Sequence, residues 1–209
     1  MKKIYTLYPS IRESFSYGWG VIFDKAFLTL LAAVIITGLL NGPMTITWKS
    51  GGSDWLNLIW VFPVVVLGMA YAFLFKPVVN YGLRYLFLKA IRDEETELKL
   101  LFEGFRNKYF KIVLANLIVV ALAVIGFVLL IIPGIIVLVR LAFVPYLVMD
   151  KDLEPMQAVE KSWQLTRGYG WKIFGMAIIS IVIIIAGLLF LIVGVIISFM
   201  WVQSAFATL

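Results

Sequence analysis

From Ile112 to Met149 the chain carries one charged residue, Arg140. A stretch this apolar is too long for one core helix and long enough for two passes through a bilayer, each pass needing ~20 residues. The rest of the 209 residues agrees: 63% are hydrophobic and 14% charged, against roughly 25% charged in soluble domains, and the mean hydropathy is +1.01. Inside hydrocarbon a segment has to satisfy its own backbone hydrogen bonds. We therefore expect an all-α fold, a polytopic helical membrane protein forming a single domain over 1–209.

Five runs have little or no charge: Ala26–Leu40, Trp55–Phe75, Ile112–Ile132, Ile135–Met149 and Ile173–Leu209. The last exceeds one span and is expected to turn near Gly187–Gly194, which brings the count to about six transmembrane helices. Ala26–Leu40 and Ile135–Met149 cover only ~22 Å at 1.5 Å per residue, so their helices are expected to extend into flanking aromatic residues or to thin the bilayer. Pro133 and Gly134 predict a tight external turn between the two central spans.

Orientation follows from the basic residues. Of 18, all but Lys49 and Arg140 lie in the N-terminal segment, in Lys76–Lys111 or in Lys151–Lys172. The positive-inside rule then places both termini in the cytoplasm and Asn41–Asp54 outside. The net charge of +6 sits beside apolar runs, which points to anionic lipid and not to nucleic acid. Lys2 and Lys3 do not open a signal peptide, since no apolar run follows before Ala26; the N-terminus is expected to be retained.

Three cytoplasmic segments share a pattern. The first begins with Ser10 and Glu13 at capping-box spacing and aligns Ile11, Phe15 and Ile22. The second, within 97–111, presents Leu98, Leu101, Phe105 and Tyr109 on one side. The third starts at Pro155, stops at Gly168, and sets Met156, Val159, Trp163 and Thr166 against Glu160, Lys161, Gln164 and Arg167. Each reads as an interfacial amphipathic helix followed by an aromatic–lysine entry into a membrane hairpin. This suggests a unit used three times, over 10–75, 97–149 and 154–209. The alternative is that any polytopic protein places such residues at its interfaces.

The second half, with "IPGI", an Arg midway through the following span, an acidic end, "A-x-x-x-S-W-x-L-T-R-G" at Ala158–Gly168 and an aromatic "WK" at Trp171–Lys172, resembles a poorly characterised prokaryotic family. That family is related to the membrane domain of glycerophosphoryl diester phosphodiesterase. The resemblance implies a multi-pass protein of the prokaryotic cytoplasmic membrane. It does not bring the phosphodiesterase activity, which those relatives hold in a separate soluble domain.

No catalytic constellation is visible. The absence of Cys and His removes thiolate chemistry, the commonest metal ligands and the usual neutral-pH base, so no enzyme, metal or cofactor is expected. Asp93, Glu94, Glu95 and Glu97 read as a solvated loop and helix start, with a bound divalent cation as the alternative. Arg140 lies ~15 Å along the helix from Asp150, close to mid-bilayer, where a charge has to face protein or water. Its expected partners are Asn116 and the carbonyl of Leu141, which Pro145 leaves without a donor; a bound anion is the other reading. Lys76, Arg84, Lys89 and Arg92 form a candidate basic cytoplasmic surface, or ordinary positive-inside anchors.

The function expected from these features is that of a non-enzymatic integral membrane protein. It would organise or help move an amphiphile or a partner protein, with membrane lipids and a second copy or another membrane protein as partners. The alternative is a transporter or lipid-handling protein that binds an anionic ligand near Arg140.

Overall fold

Apolar runs that can find no hydrogen-bond partner in lipid close their bonds internally, and every regular element among the described residues is helical. The structure, a computed structural model, describes residues 11–22, 26–41, 55–188 and 191–208. Its helices are α1 (Ile11–Ile22), α2 (Phe27–Leu40), α3 (Trp55–Ala70), α4 (Lys76–Ile91), α5 (Glu103–Asn107), α6 (Tyr109–Leu129), α7 (Ile131–Arg140), α8 (Val144–Lys151), α9 (Pro155–Leu165), α10 (Gly170–Leu188) and α11 (Leu191–Thr208). Among the described residues four stretches are long and apolar enough to cross a membrane: Phe62–Ile91, Tyr109–Leu129, Ile131–Lys151 and Gly170–Gly187. Two expected spans form shorter helices. α2 has 14 residues and α11 has 18; at 1.5 Å per residue they cover ~21 and ~27 Å, against a hydrocarbon core of ~30 Å.

The second apolar run does not end at Phe75. α3 passes through a π-helical turn, Tyr71–Phe75, into α4. Pro77 lacks an N–H and would break a regular ladder. Here the wider turn takes up the mismatch, with the Lys76 N–H reaching back to the Tyr71 carbonyl, so the helix continues to Ile91. α4 is the centre of the molecule and packs against α2, α6, α8 and α11. Gly82 makes this possible on one side, because a Cβ there would collide with the Leu101 backbone.

The hairpin of α6 and α7 reverses at Leu130, whose backbone is extended at φ −170° and ψ 159°. Pro133 and Gly134, expected as the turn, instead lie in the first turn of α7. Their role is close packing. A Cβ on Gly126 would stand 2.9 Å from the Gly134 Cα, and one on Gly134 would strike the Phe127 ring, so the helices meet at a contact only small residues permit.

Two apolar clusters hold the bundle. One joins Val78 and Tyr81 of α4 to Ile112 and Ala115 of α6, Val144 and Val148 of α8, and Ala158 and Val159 of α9. The other joins Leu30 and Ala33 of α2 to Leu83, Leu86 and Phe87 of α4, Leu101, and Met200 of α11. α1 lies along α11: Phe15 is buried, the Trp201 indole N–H donates to the Phe15 carbonyl at 2.7 Å, and its ring meets Trp19 edge-on at 4.7 Å. Ser10 of the expected capping box lies outside the described residues.

The other two amphipathic segments differ from expectation. Leu98–Phe102 is a 3₁₀ helix, followed by α5 and a break at Lys108, so Tyr109 belongs to α6 and no single helix spans 97–111. In α9 the buried face is Pro155, Ala158, Val159 and Ser162, continued by Thr166, while Met156 and Trp163 are largely exposed. The expected stripe was chosen by apolar size. Small Ala158 and Ser162 win the inner face because they let α9 approach α6 and α8 closely.

Candidate functional site

The run that opens with Ile131 breaks after Arg140. Pro145 has no N–H, and the Val144 N–H bonds the Leu141 carbonyl at 3.2 Å instead of that of Arg140, producing the turn Leu141–Phe143 between α7 and α8. Two carbonyls at this break are bonded by side chains from other helices. The Ser162 hydroxyl of α9 donates to the Arg140 carbonyl at 2.7 Å, and the Arg84 guanidinium of α4 donates to the Ala142 carbonyl at 3.4 Å. Thr166 lies 3.4 Å from the Arg140 carbonyl but closer, 2.9 Å, to that of Ser162, so its single proton favours the local bond.

This arrangement corrects the expected one. The Leu141 carbonyl is served by the main chain, the Arg140 guanidinium bonds neither it nor Asn116, and Asn116 is half-buried one helix away. The backbone staples are Ser162 and Arg84. The Arg140 guanidinium instead lies 5.7 Å from the Trp163 ring centre. Its Nη1 is buried with no hydrogen-bond partner, and no carboxylate pairs with it among the described residues.

Beside Arg140, α7 and the start of α10 enclose a cavity of about 480 Å³. Ile132, Ile135, Ile136 and Val139 form one wall, Trp171 and Phe174 the other, and Gly168 and Gly170 leave the mouth open. Gly168 has φ +86°, a left-handed conformation that ends α9 and favours glycine. Arg140 is the only charged lining residue. Trp171 is 86% exposed, so an apolar slot, one cation and an amphipathic ring meet at a single edge.

The candidate basic residues do not form one patch. Lys76 donates to the Asn41 carbonyl at 3.4 Å, beside the 2.6 Å bond from the Tyr71 hydroxyl to the Leu40 carbonyl, and so caps the negative end of α2. Lys89 pairs with Glu94 at 3.7 Å. Arg92 grips both Asp150 oxygens, at 2.6 and 3.1 Å, and this bond lifts its pKa above the ordinary arginine range. Each cation is spent on a different neighbour. Among the described residues no group of carboxylates stands close enough to hold a metal ion.

Sequence reasoning found Arg140 and missed Ser162, Trp163, Trp171 and Phe174 as its surroundings. The signal was present in "S-W-x-L-T-R-G", where Ser162 and Thr166 sit one turn apart on α9.

The site lies within the portion of the chain, residues 118–209, that matches a family model described as a domain of unknown function, DUF7847. No curated protein and no solved structure matches the chain.

Proposed function

We propose that this is a non-enzymatic, multi-pass protein of a prokaryotic cytoplasmic membrane that binds an anionic amphiphile in the slot between α7 and α10 and assists its movement. The observation that carries the reading is the Arg140 guanidinium at the wall of an apolar cavity, with Nη1 buried and unbonded. A buried donor without a partner costs about 1–3 kcal/mol, more when charged. An anion in the slot would give the guanidinium the partner it lacks, a small shift of the side chain bringing Nη1 within reach, and the slot would take the attached hydrocarbon.

The membrane placement in this proposal keeps about six spans with both termini cytoplasmic, and the short helices α2 and α11 each count as one. The likeness to the membrane domain of glycerophosphoryl diester phosphodiesterase belongs to the same proposal. The surroundings assigned to Arg140 change. α9 folds back along α8 until Ser162 meets Arg140, and Glu160, Lys161, Gln164 and Arg167 of that segment face outward. Those side chains need water or headgroups, and the apolar run of α10 begins at the same level. Arg140 therefore lies at a level that water or headgroups reach along the outward face of α9, while α8 carries the span on to Lys151.

Native mass spectrometry of gently solubilised protein tests the reading. The wild-type chain is expected to retain an anionic lipid that Arg140→Gln loses at equal thermal stability. Equal lipid retention by both would overturn it.

A further inference from the structure

Charge and shape in the slot restrict its occupant further. Resting on the amphiphile-binding reading above, we propose that the slot takes an amphiphile with one acyl chain and one negative charge, its head on Arg140 and its tail along Ile136 and Ile132.

The charge follows from the lining. Arg140 is the only ionisable side chain among the cavity's residues, and none of the described carboxylates neutralises it. One anionic charge balances this cation. A second would enter a low-dielectric wall unpaired, where an uncompensated charge costs several kcal/mol. A zwitterionic head would bring a second cation against the guanidinium. Free carboxylate and lysophospholipid phosphodiester share the required chemistry, since each offers two oxygens to a planar fork.

The chain number follows from shape. The slot, about 480 Å³ and open on one side, has walls one side-chain row deep, Ile132, Ile135, Ile136 and Val139 of α7 on one and Trp171 and Phe174 on the other. A single row on each wall seats one acyl chain and not two. From Arg140 to Ile132 the α7 wall is ~12 Å long at 1.5 Å per residue, so it seats the head-proximal part of a chain against Trp171 and Phe174, the remainder running on past Ile132. The glycine mouth at Gly168 and Gly170 leaves room for a head to enter beside the guanidinium.

The test is photolabelling of the full-length protein in detergent with a diazirine-bearing palmitate, mapping the adducts by peptide mass spectrometry. Label is expected within 131–140 and 170–174. It should be displaced by palmitate and by lysophosphatidylglycerol, with the stronger of the two identifying the preferred head, and not by lysophosphatidylcholine or two-chain phosphatidylglycerol at the same concentration. Arg140→Gln is expected to lower labelling about tenfold or more, the loss of a charge-assisted hydrogen bond, while Arg140→Lys retains most of it. Should Arg140→Gln fail to fold, Ile136→Trp fills the slot from a half-exposed position and should abolish the label with Arg140 intact.

Displacement by phosphatidylglycerol as readily as by palmitate would overturn the single-chain assignment and leave anion binding in the slot standing. Equal displacement by lysophosphatidylcholine would overturn the charge assignment. Adducts spread evenly over the exposed apolar helices, with no retained anionic lipid in the wild-type protein, would overturn both this inference and the reading on which it rests.

Discussion

The Ser162 hydroxyl donates a 2.7 Å hydrogen bond to the carbonyl of Arg140, joining α9 to the break between α7 and α8. The hydroxyl is enclosed, since Ser162 is fully buried. Ser162→Ala should therefore leave the carbonyl without its best donor, at a cost of ~1–2 kcal/mol, moderated by the nearby Thr166 hydroxyl. The expected readout is a lower Tm together with faster amide hydrogen exchange across Pro155–Leu165. Unchanged exchange there would show that apolar packing alone seats α9.

Pairing of the second staple can be separated from its charge. Arg84→Lys keeps the cation but loses the planar reach to the Ala142 carbonyl, 3.4 Å away; Arg84→Leu loses both. We expect Arg84→Leu to lower stability by about 1–3 kcal/mol by stranding that carbonyl, with Arg84→Lys intermediate. Equal stability of all three in thermal unfolding would remove Arg84 from the bonding of the break.

Arg92 and Asp150 form a two-point ion pair with 39% and 14% of their side chains exposed. Partial exposure screens such a pair, so a double-mutant cycle with Arg92→Leu and Asp150→Asn should give a coupling of only ~0.5–1 kcal/mol, reduced further by salt. A coupling near zero at low salt would mean that the pair contributes geometry alone.

The contact of α6 with α7 at Gly126 and Gly134 is a steric prediction. Gly126→Leu forces a side chain into backbone 2.9 Å away and should destabilise by ~1–3 kcal/mol or more. Gly168→Ala addresses a different constraint, because φ there is +86° with nothing within 4 Å; it should cost about 1 kcal/mol from backbone strain alone. The two variants separate crowding from conformation when compared by thermal unfolding.

Orientation is testable directly because the chain has no cysteine. Ser53→Cys is expected to react with an impermeant thiol reagent from outside intact cells and Gln157→Cys only after the membrane is opened. The opposite pattern would invert the topology.

The amino-acid sequence by itself determined the helical class, the position of the apolar runs, and Arg140 as the exceptional charge inside one of them. These properties are local: hydropathy sums along a segment, and a helix closes its bonds within about one turn. The tertiary structure decided what the break at Arg140 does. Its carbonyls are satisfied by Ser162 and Arg84, 22 positions downstream in one case and 58 upstream of Ala142 in the other, and nothing in local pattern says which distant hydroxyl or guanidinium arrives. The same holds for α9, whose apolar residues predicted the wrong face. Close approach rewarded Ala158 and Ser162 over Met156 and Trp163, and so left Trp163 against the Arg140 guanidinium. The slot between α7 and α10 exists only because the left-handed turn at Gly168 returns the chain to Arg140, a consequence of helix packing that no single segment encodes.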